Sequence, residues 1–241
     1  MLNEQINRRA TVFISENRMM NNSDLGILSP LMQKMGLMPS LNKQMNFQIT
    51  PNGLQPEEGL AVELRTSDDS FKISFAPGRI DILRSKVLLE DNLEPLDDFI
   101  TKAKEVIRLL RTAYPTWAIN RLALSLTVCH DLDEEHLVSS YKKFMLHDED
   151  NIVEWRFRKV KRKSLEEVSN LLVNQVVTIS RIVSQIPFEQ KPSDRILIET
   201  DFNTVVGQDV EFKEELIREV WDKMSADTTQ IMDDLNRILT E

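Results

Sequence analysis

Cysteine is almost absent from this chain. Cys129 is the only one in 241 residues, which excludes an internal disulfide and any multi-cysteine zinc site. Histidine is nearly as scarce, with only His130, His136 and His147. Six glycines and nine prolines are too few for a disordered or loop-dominated chain. There is no glycine-rich phosphate cradle and no Walker-type loop; Gly207 stands alone before the last helical stretch. No apolar run approaches the roughly 20 residues that span a bilayer, so no membrane association is expected. The opening MLNEQINRRATVF has neither a long apolar core nor a small-residue cleavage pattern, so no signal peptide is expected and the expected compartment is the reducing cytoplasm. A formal net charge of −9 argues against a chain that coats nucleic acid over its whole surface, while leaving local patches open.

What is present is ordinary in bulk: 41% hydrophobic and 29% charged residues, enough for one large domain or two small ones. The organising stretch is 91–129, DNLEPLDDFITKAKEVIRLLRTAYPTWAINRLALSLTVC. Leu96, Phe99, Ile100, Ala103, Ile107, Leu110 and Tyr114 fall at spacings of three and four, one apolar stripe of a helix. Pro95 suits the first turn, Asp97 and Asp98 suit its positive end, and Arg108 and Arg111 its negative end. Pro115 ends it. Then Leu122, Leu124, Leu126 and Val128 alternate with Arg121, Ala123, Ser125 and Thr127, the pattern of a strand with one buried face.

Around this stretch the spacing predicts strands over 10–15, 45–50, 60–66, 70–76 and 79–84, with turn chemistry at Ser67-Asp68-Asp69 and Pro77-Gly78. Further on it predicts a helix over 133–146 and a basic strand within 152–163. A long strand over 171–186, a loop over 187–192 and a strand over 195–200 follow, and a helix over 211–239 ends the chain. PGRIDI at 77–82 echoes PSDRILI at 192–198, and each precedes a long amphipathic helix by a similar interval. The expected fold class is therefore α+β: antiparallel meander sheets packed by long helices. It is read as two similar β-meander-plus-helix units, one over 1–115 and the other over 116–241.

Two stretches suggest a partner surface. Residues 17–46 hold six of the ten methionines, broken by Pro30, Gly36 and Pro39, with at most a helix over 30–37. Methionine is flexible and polarizable, so Met32, Met35, Leu37 and Met38 are candidate partner-binding residues; the alternative is an insertion folded back over a sheet. The terminal helix carries Ile217, Val220, Met224, Ile231, Leu235 and Ile238 near a 3.5 spacing, and at 1.5 Å per residue it is roughly 43 Å long. Ile217, Val220, Met224, Ile231 and Leu235 are candidates for pairing with a second copy or another protein; the alternative is a helix lying along the sheet. Residues 225–229, SADTT, are poor helix formers that would kink it.

The sharpest departure from the acidic background is Arg156, Arg158, Lys159, Lys161, Arg162 and Lys163, six cations in eight residues beside Trp155 and Phe157. They are candidate anion or nucleic-acid contacts, with aromatics to stack on bases. The alternatives are an edge strand protected by charge and pairing with the acidic run Asp148-Glu149-Asp150. Catalytic constellations fare poorly. CHDLDEEH at 129–136 has the residue types of a metal site, but adjacent Cys129 and His130 point to opposite strand faces and the acids suit a helix start. Asp81, Glu154 and Lys159 lack the acid-x-lysine pairing of a metal-dependent nuclease. No catalytic residue, cofactor or metal is assigned.

The order GRIDIL, long helix, INRLALSLTV, IETDFNT, terminal helix resembles a sporadically distributed family of uncharacterised bacterial proteins of about this length. Its arginine-containing strand is matched by Arg121-Leu122-Ala123-Leu124 and its Asp-x-x-Thr element by Asp201 to Thr204, while its tyrosine and asparagine after that strand are missing here. The resemblance implies an accessory role, in phage defence or a mobile element. The expected function is a non-enzymatic, oligomerising or partner-binding protein; the alternative is a nucleic-acid-binding accessory protein using 156–163.

Overall fold

A computed structural model describes residues 2–16, 20–50, 53–88, 90–145, 152–166, 168, 170–186 and 189–240. Among them are nine strands and four helices. In chain order these are β1 (Leu2–Ile14), α1 (Asn22–Met35), β2 (Met38–Thr50), β3 (Gly53–Arg65), β4 (Phe71–Ala76), β5 (Arg79–Ser85), α2 (Leu96–Ala113), β6 (Ile119–Asp131), α3 (Glu134–Met145), β7 (Trp155–Leu165), β8 (Leu171–Ser184), β9 (Ser193–Thr204) and α4 (Glu214–Thr240). The fold is α+β. All nine strands form one sheet, ordered β2-β3-β4-β5-β1-β6-β9-β8-β7, with every neighbouring pair antiparallel. The sheet runs unbroken across residues 115 and 116, because β1 and β6 pair along most of their length. Each half of the chain runs strand, helix, meander, helix, and its first strand pairs with the last strand of its own meander: β1 with β5, β6 with β9.

Alternation decides which face is covered. Ala10, Val12, Ile73, Ile80, Ile82, Leu122, Leu124, Ile198 and Phe202 are buried on one face. There the helices pack side by side in the order α1, α2, α4, α3. The opposite face carries Arg9, Ser125, Arg156, Arg158, Asn174, Glu199 and Asp201, placed together by the strand registers. Residues 121–124 and 201–204 are structural on and beside that face. Arg121 stacks 4.6 Å from the Phe13 ring centroid and donates to the Thr204 carbonyl and Asn203 Oδ1, both at 3.0 Å. Thr204 Oγ1 accepts from Leu122 N at 3.0 Å.

The structure corrects several expectations. The methionine-rich stretch holds α1, a full helix that begins eight residues before Pro30. Asn21 and Asp24 form a reciprocal capping box at its start, and Gly36, at φ 64°, closes it in the left-handed conformation that favours glycine. Pro30 is exposed within the helix, and residue Gly26, whose carbonyl loses a donor, sits four positions before it. Leu37 is buried in the core, and Met32 and Met35 pack against that core. Of the four proposed contacts here, Met38 alone is well exposed, at 53%. Met19 lies outside the described residues.

The terminal helix does not project. Ile217, Val220, Trp221 and Met224 of α4 are buried with β6 and α2 residues in one cluster; Met232, Leu235 and Leu239 are buried with β7, β9 and α3 residues in a second. Trp221 Nε1 donates to the Ala123 carbonyl at 3.3 Å. Ile217, Val220 and Met224 are therefore core residues of this chain, with no surface to offer a partner. The SADTT segment is helical. Its small polar residues let α4 approach α2, with Ser225 fully buried and donating to Asp97 Oδ1 at 2.7 Å. Thr228 bonds back to the Met224 carbonyl at 2.7 Å.

Candidate partner-binding groove at the sheet edge

β7 ends the sheet: among the described residues it pairs with β8 and with nothing on its other side. A strand alternates its side chains, so the six clustered cations divide. Arg156, Arg158 and Arg162 belong to the open face, where all three are exposed; Arg162 Nε donates to Asn174 Oδ1 at 3.0 Å. Lys159, Lys161 and Lys163 belong to the helix-bearing face with Phe157. No single surface collects all six. Trp155 is not available to stack on a base: it is 6% exposed, packed edge-on to Tyr141 with centroids 6.3 Å apart and tilted against Phe144 at 5.9 Å.

On the helix-bearing face the outer part of β7 and β8 is not fully roofed by α3 and α4. A groove of about 390 Å³ remains there. Its apolar lining is Phe144, Phe157, Val177, Ile179, Ile231, Leu235 and Ile238, and its polar lining includes Lys143, Lys159, Lys161 and Asp234. Lys159 and Lys161 are exposed and have no ion-pair partner among the described residues. Lys163 is tied to Asp227 of α4, and Lys143 donates to the Ile238 carbonyl at 2.9 Å. The groove thus joins Lys159 and Lys161, read from the sequence as anion contacts, to Ile231 and Leu235, read as partner contacts. It leaves out Met32 and Met35 on α1, Leu37 in the connection to β2, and Met38 at the start of β2, all at the opposite end of the sheet.

Phe144, Val177, Ile179 and Ile238 were missed as groove residues. One signal was available: Ile231 and Ile238 make a second apolar stripe on α4 beside Met232, Leu235 and Leu239. Two stripes make an apolar face wider than one sheet contact needs. The acidic run Asp148-Glu149-Asp150, and His147, lie outside the described residues.

The other constellations come apart. Asp81 is on β5, accepting from Thr11 Oγ1 at 2.6 Å and pairing with Arg79 at 2.9 Å. Four strands separate it from β7 and Lys159. Cys129 and His130 face opposite sides of β6, with Cys129 beside Leu197 and His130 beside Ile196. Burial raises the Cys129 thiol above its ordinary range and pulls His130 down to about 4. Asp133 caps α3, accepting from His136 N at 2.9 Å and His136 Nδ1 at 2.7 Å. Among the described residues no group of three or more His, Cys, Asp and Glu side chains is placed to hold a metal ion, and no helix is long and apolar enough to cross a membrane. No protein-family model matches the chain, and no curated protein is significantly similar to it.

Proposed function

We propose that this chain is a non-catalytic interaction protein that takes an acidic, extended segment of another protein along the edge of β7. The observation that carries the reading is the pairing of an unpaired strand edge with an apolar groove rimmed by Lys143, Lys159 and Lys161. An edge strand offers a row of main-chain donors and acceptors to an incoming strand, and pockets beside it select alternate side chains. Cations flank this edge on both faces, Lys159 and Lys161 on one and Arg156, Arg158 and Arg162 on the other. They repel a second β7 and attract acidic side chains from either side. The same charges protect the edge against uncharged strands, so protection and selection are one property. Self-association through α4 is not part of this reading, because Ile217, Val220 and Met224 of its apolar stripe are buried in this chain's own core.

The bacterial accessory role, in phage defence or a mobile element, rests on the resemblance described above and belongs to the proposal, as does a cytoplasmic location. So does duplication: strand–helix–meander–helix order in both halves, and the equivalent places of β5 and β9, support descent from one repeated unit.

The test is fluorescence anisotropy with three labelled probes: a peptide alternating valine and glutamate, the same peptide with lysine for glutamate, and a single-stranded oligonucleotide. The glutamate peptide is expected to bind, and Lys159→Glu with Lys161→Glu to weaken it at least tenfold, about 0.7 kcal/mol per reversed exposed charge. Binding of the lysine peptide with equal strength overturns the reading. Salt-sensitive binding of the oligonucleotide alone replaces it with the nucleic-acid reading, for which Arg156, Arg158 and Arg162 on the open face are the contacts.

A further inference from the structure

At the opposite edge of the sheet from β7 the chain carries a projecting arm. β2 and β3 pair with each other along their whole length, from Met38 with Arg65 to Thr50 with Gly53. The rest of the sheet supports only the base of this hairpin, because β3 meets β4 at Glu63, Leu64 and Arg65. Ser74 is the partner of Glu63, and β4 ends at Ala76. Continued in the same register, β4 reaches no further than Ala61. About eight residues of each strand, Lys43 to Thr50 and Gly53 to Leu60, therefore extend past β4 as a two-stranded ribbon, roughly 27 Å long. Two strands alone in water are marginally stable at best, so an arm of this length calls for a cover.

The arm is two-faced in sequence. Along β2, Leu41, Met45, Phe47 and Ile49 alternate with Asn42, Gln44, Asn46, Gln48 and Thr50. The register sets Leu41 opposite Val62, Phe47 opposite Pro56 and Ile49 opposite Leu54, and residues opposite each other share a face of a ribbon. One face thus holds the apolar positions and the other the amide and hydroxyl positions. The apolar face continues the helix-bearing side of the sheet, since Val62 and Leu64 belong to the main core. The chain's own cover runs out at the base: Val62 is 1% exposed, while Leu41 across from it is 49% exposed.

We propose that this chain forms a two-fold dimer in which the apolar faces of the two β2–β3 arms pack on each other. Edge-on addition of a foreign strand is poorly served, because Pro39 in β2 and Pro56 in β3 each lack a main-chain donor. The apolar face carries one cation and one anion, Lys43 opposite Leu60 and Glu58 opposite Met45, and so no net charge. Such a face is complementary to itself. Antiparallel packing about a two-fold axis near Gln44 brings Lys43 of each copy beside Glu58 of the other. It also lays each tip over the other's base, where Leu41 is exposed. Leu41, Met45, Phe47, Ile49, Leu54 and Leu60 of both copies, at roughly 100 Å² each, bury on the order of 1,200 Å², the lower end of a specific interface. This interface is independent of the β7 groove, which lies at the other edge of the sheet.

The test is sedimentation velocity on the full chain across micromolar concentrations. The parent is expected to dimerise with rising concentration. Phe47→Glu and Ile49→Glu, tested separately, are each expected to weaken dimerisation at least tenfold with an unchanged circular-dichroism spectrum; should one fail to fold, the other decides. Gln48→Glu, at the other parity, is expected to leave the dimer intact. Lys43→Glu and Glu58→Lys each weaken association alone, and an equimolar mixture of the two is expected to restore it, since each arm then meets opposite charge on its partner. A parent that stays monomeric overturns the proposal, and if that monomer floats with lipid vesicles the apolar face belongs to a bilayer instead. Equal dimerisation by the parent and a folded glutamate variant at position 47 or 49 also overturns it. So does loss of the dimer in Gln48→Glu, or a mixture that associates no better than either charge variant alone.

Discussion

A chain ending at Gln208 loses α4 and the segment leading into it. The apolar side chains removed are Phe212, Ile217, Val220, Trp221, Met224, Met232, Leu235 and Leu239, each buried. At about 1.5–3 kcal/mol for each such side chain buried, they contribute on the order of 12–24 kcal/mol. The loss also bares the faces of Leu122, Leu124 and Phe202 that they cover. Domains of this kind are stable by only about 5–15 kcal/mol in total, so truncation removes more than the fold can spare. The shortened chain is expected to lack a cooperative thermal transition by circular dichroism and to elute as aggregate or as an expanded species by light scattering. A cooperative melt from a monomer of the shortened mass would refute the reasoning. It would return α4 to the role of a helix free to pair with a partner.

Three further outcomes follow from single residues. His130 is buried with Nε2 unpartnered and held at about 4, against 6.5 in its ordinary state. Between those values the unfolded chain takes up a proton that the folded chain refuses. Stability is therefore fully present above about pH 6.5 and falls as pH drops toward 4, by about 3 kcal/mol in all. Denaturant midpoints at several pH values should show that slope, and a folded His130→Gln should flatten it; an unchanged slope in that variant contradicts the burial argument. Ser225 sits where α4 meets α2, so Ser225→Leu should overpack the crossing and cost about 1–3 kcal/mol, with Ser225→Ala nearer 1 kcal/mol from the lost hydrogen bond to Asp97. A melting temperature unchanged by Ser225→Leu would mean that the helices are not in close contact. Cys129 is buried, with its thiol raised above the ordinary range by desolvation, so thiol reagents should label it slowly in the native protein and rapidly in denaturant. Fast native labelling would contradict its placement.

Much of the fold could be read from residues because its elements obey a single period each. α2 and the core of β6 follow from one helical stripe, one proline and one alternation, and the β4–β5 hairpin from Phe71, Ile73 and Phe75 followed by Pro77-Gly78. The strand ends were harder. β1 begins at Leu2 and β9 extends to Thr204. Asn7, Arg9, Glu199 and Asp201 look foreign to a strand until one face of the sheet is known to be open to water. α1 was obscured by Pro30, which reads as a breaker but stands on an exposed turn, while the capping signal Asn21-x-x-Asp24 before it carried the helix. The misplacement of α4 has a different cause. A 3.5-residue stripe is the same whether it meets another chain or the sheet of its own, and only tertiary packing separates the two. SADTT was visible as an irregularity, but its reason, a close crossing with α2, lies on another element. The β7 cations were visible, and their division between faces follows from alternation. The groove beside them depends on where α3 and α4 stop covering the sheet, which no local pattern records.

The proposed function stands or falls on whether the outer edge of β7 binds an acidic strand. Amide hydrogen exchange of the full chain, with and without the valine–glutamate peptide, tests it most directly. Alternate amides of β7 already bond to β8, and the remaining ones face outward. Peptide is expected to slow exchange at those outward amides between Trp155 and Leu165, with little change in β2 at the far edge. Protection confined to other parts of the chain, or binding that leaves every amide of β7 unaltered, would contradict it.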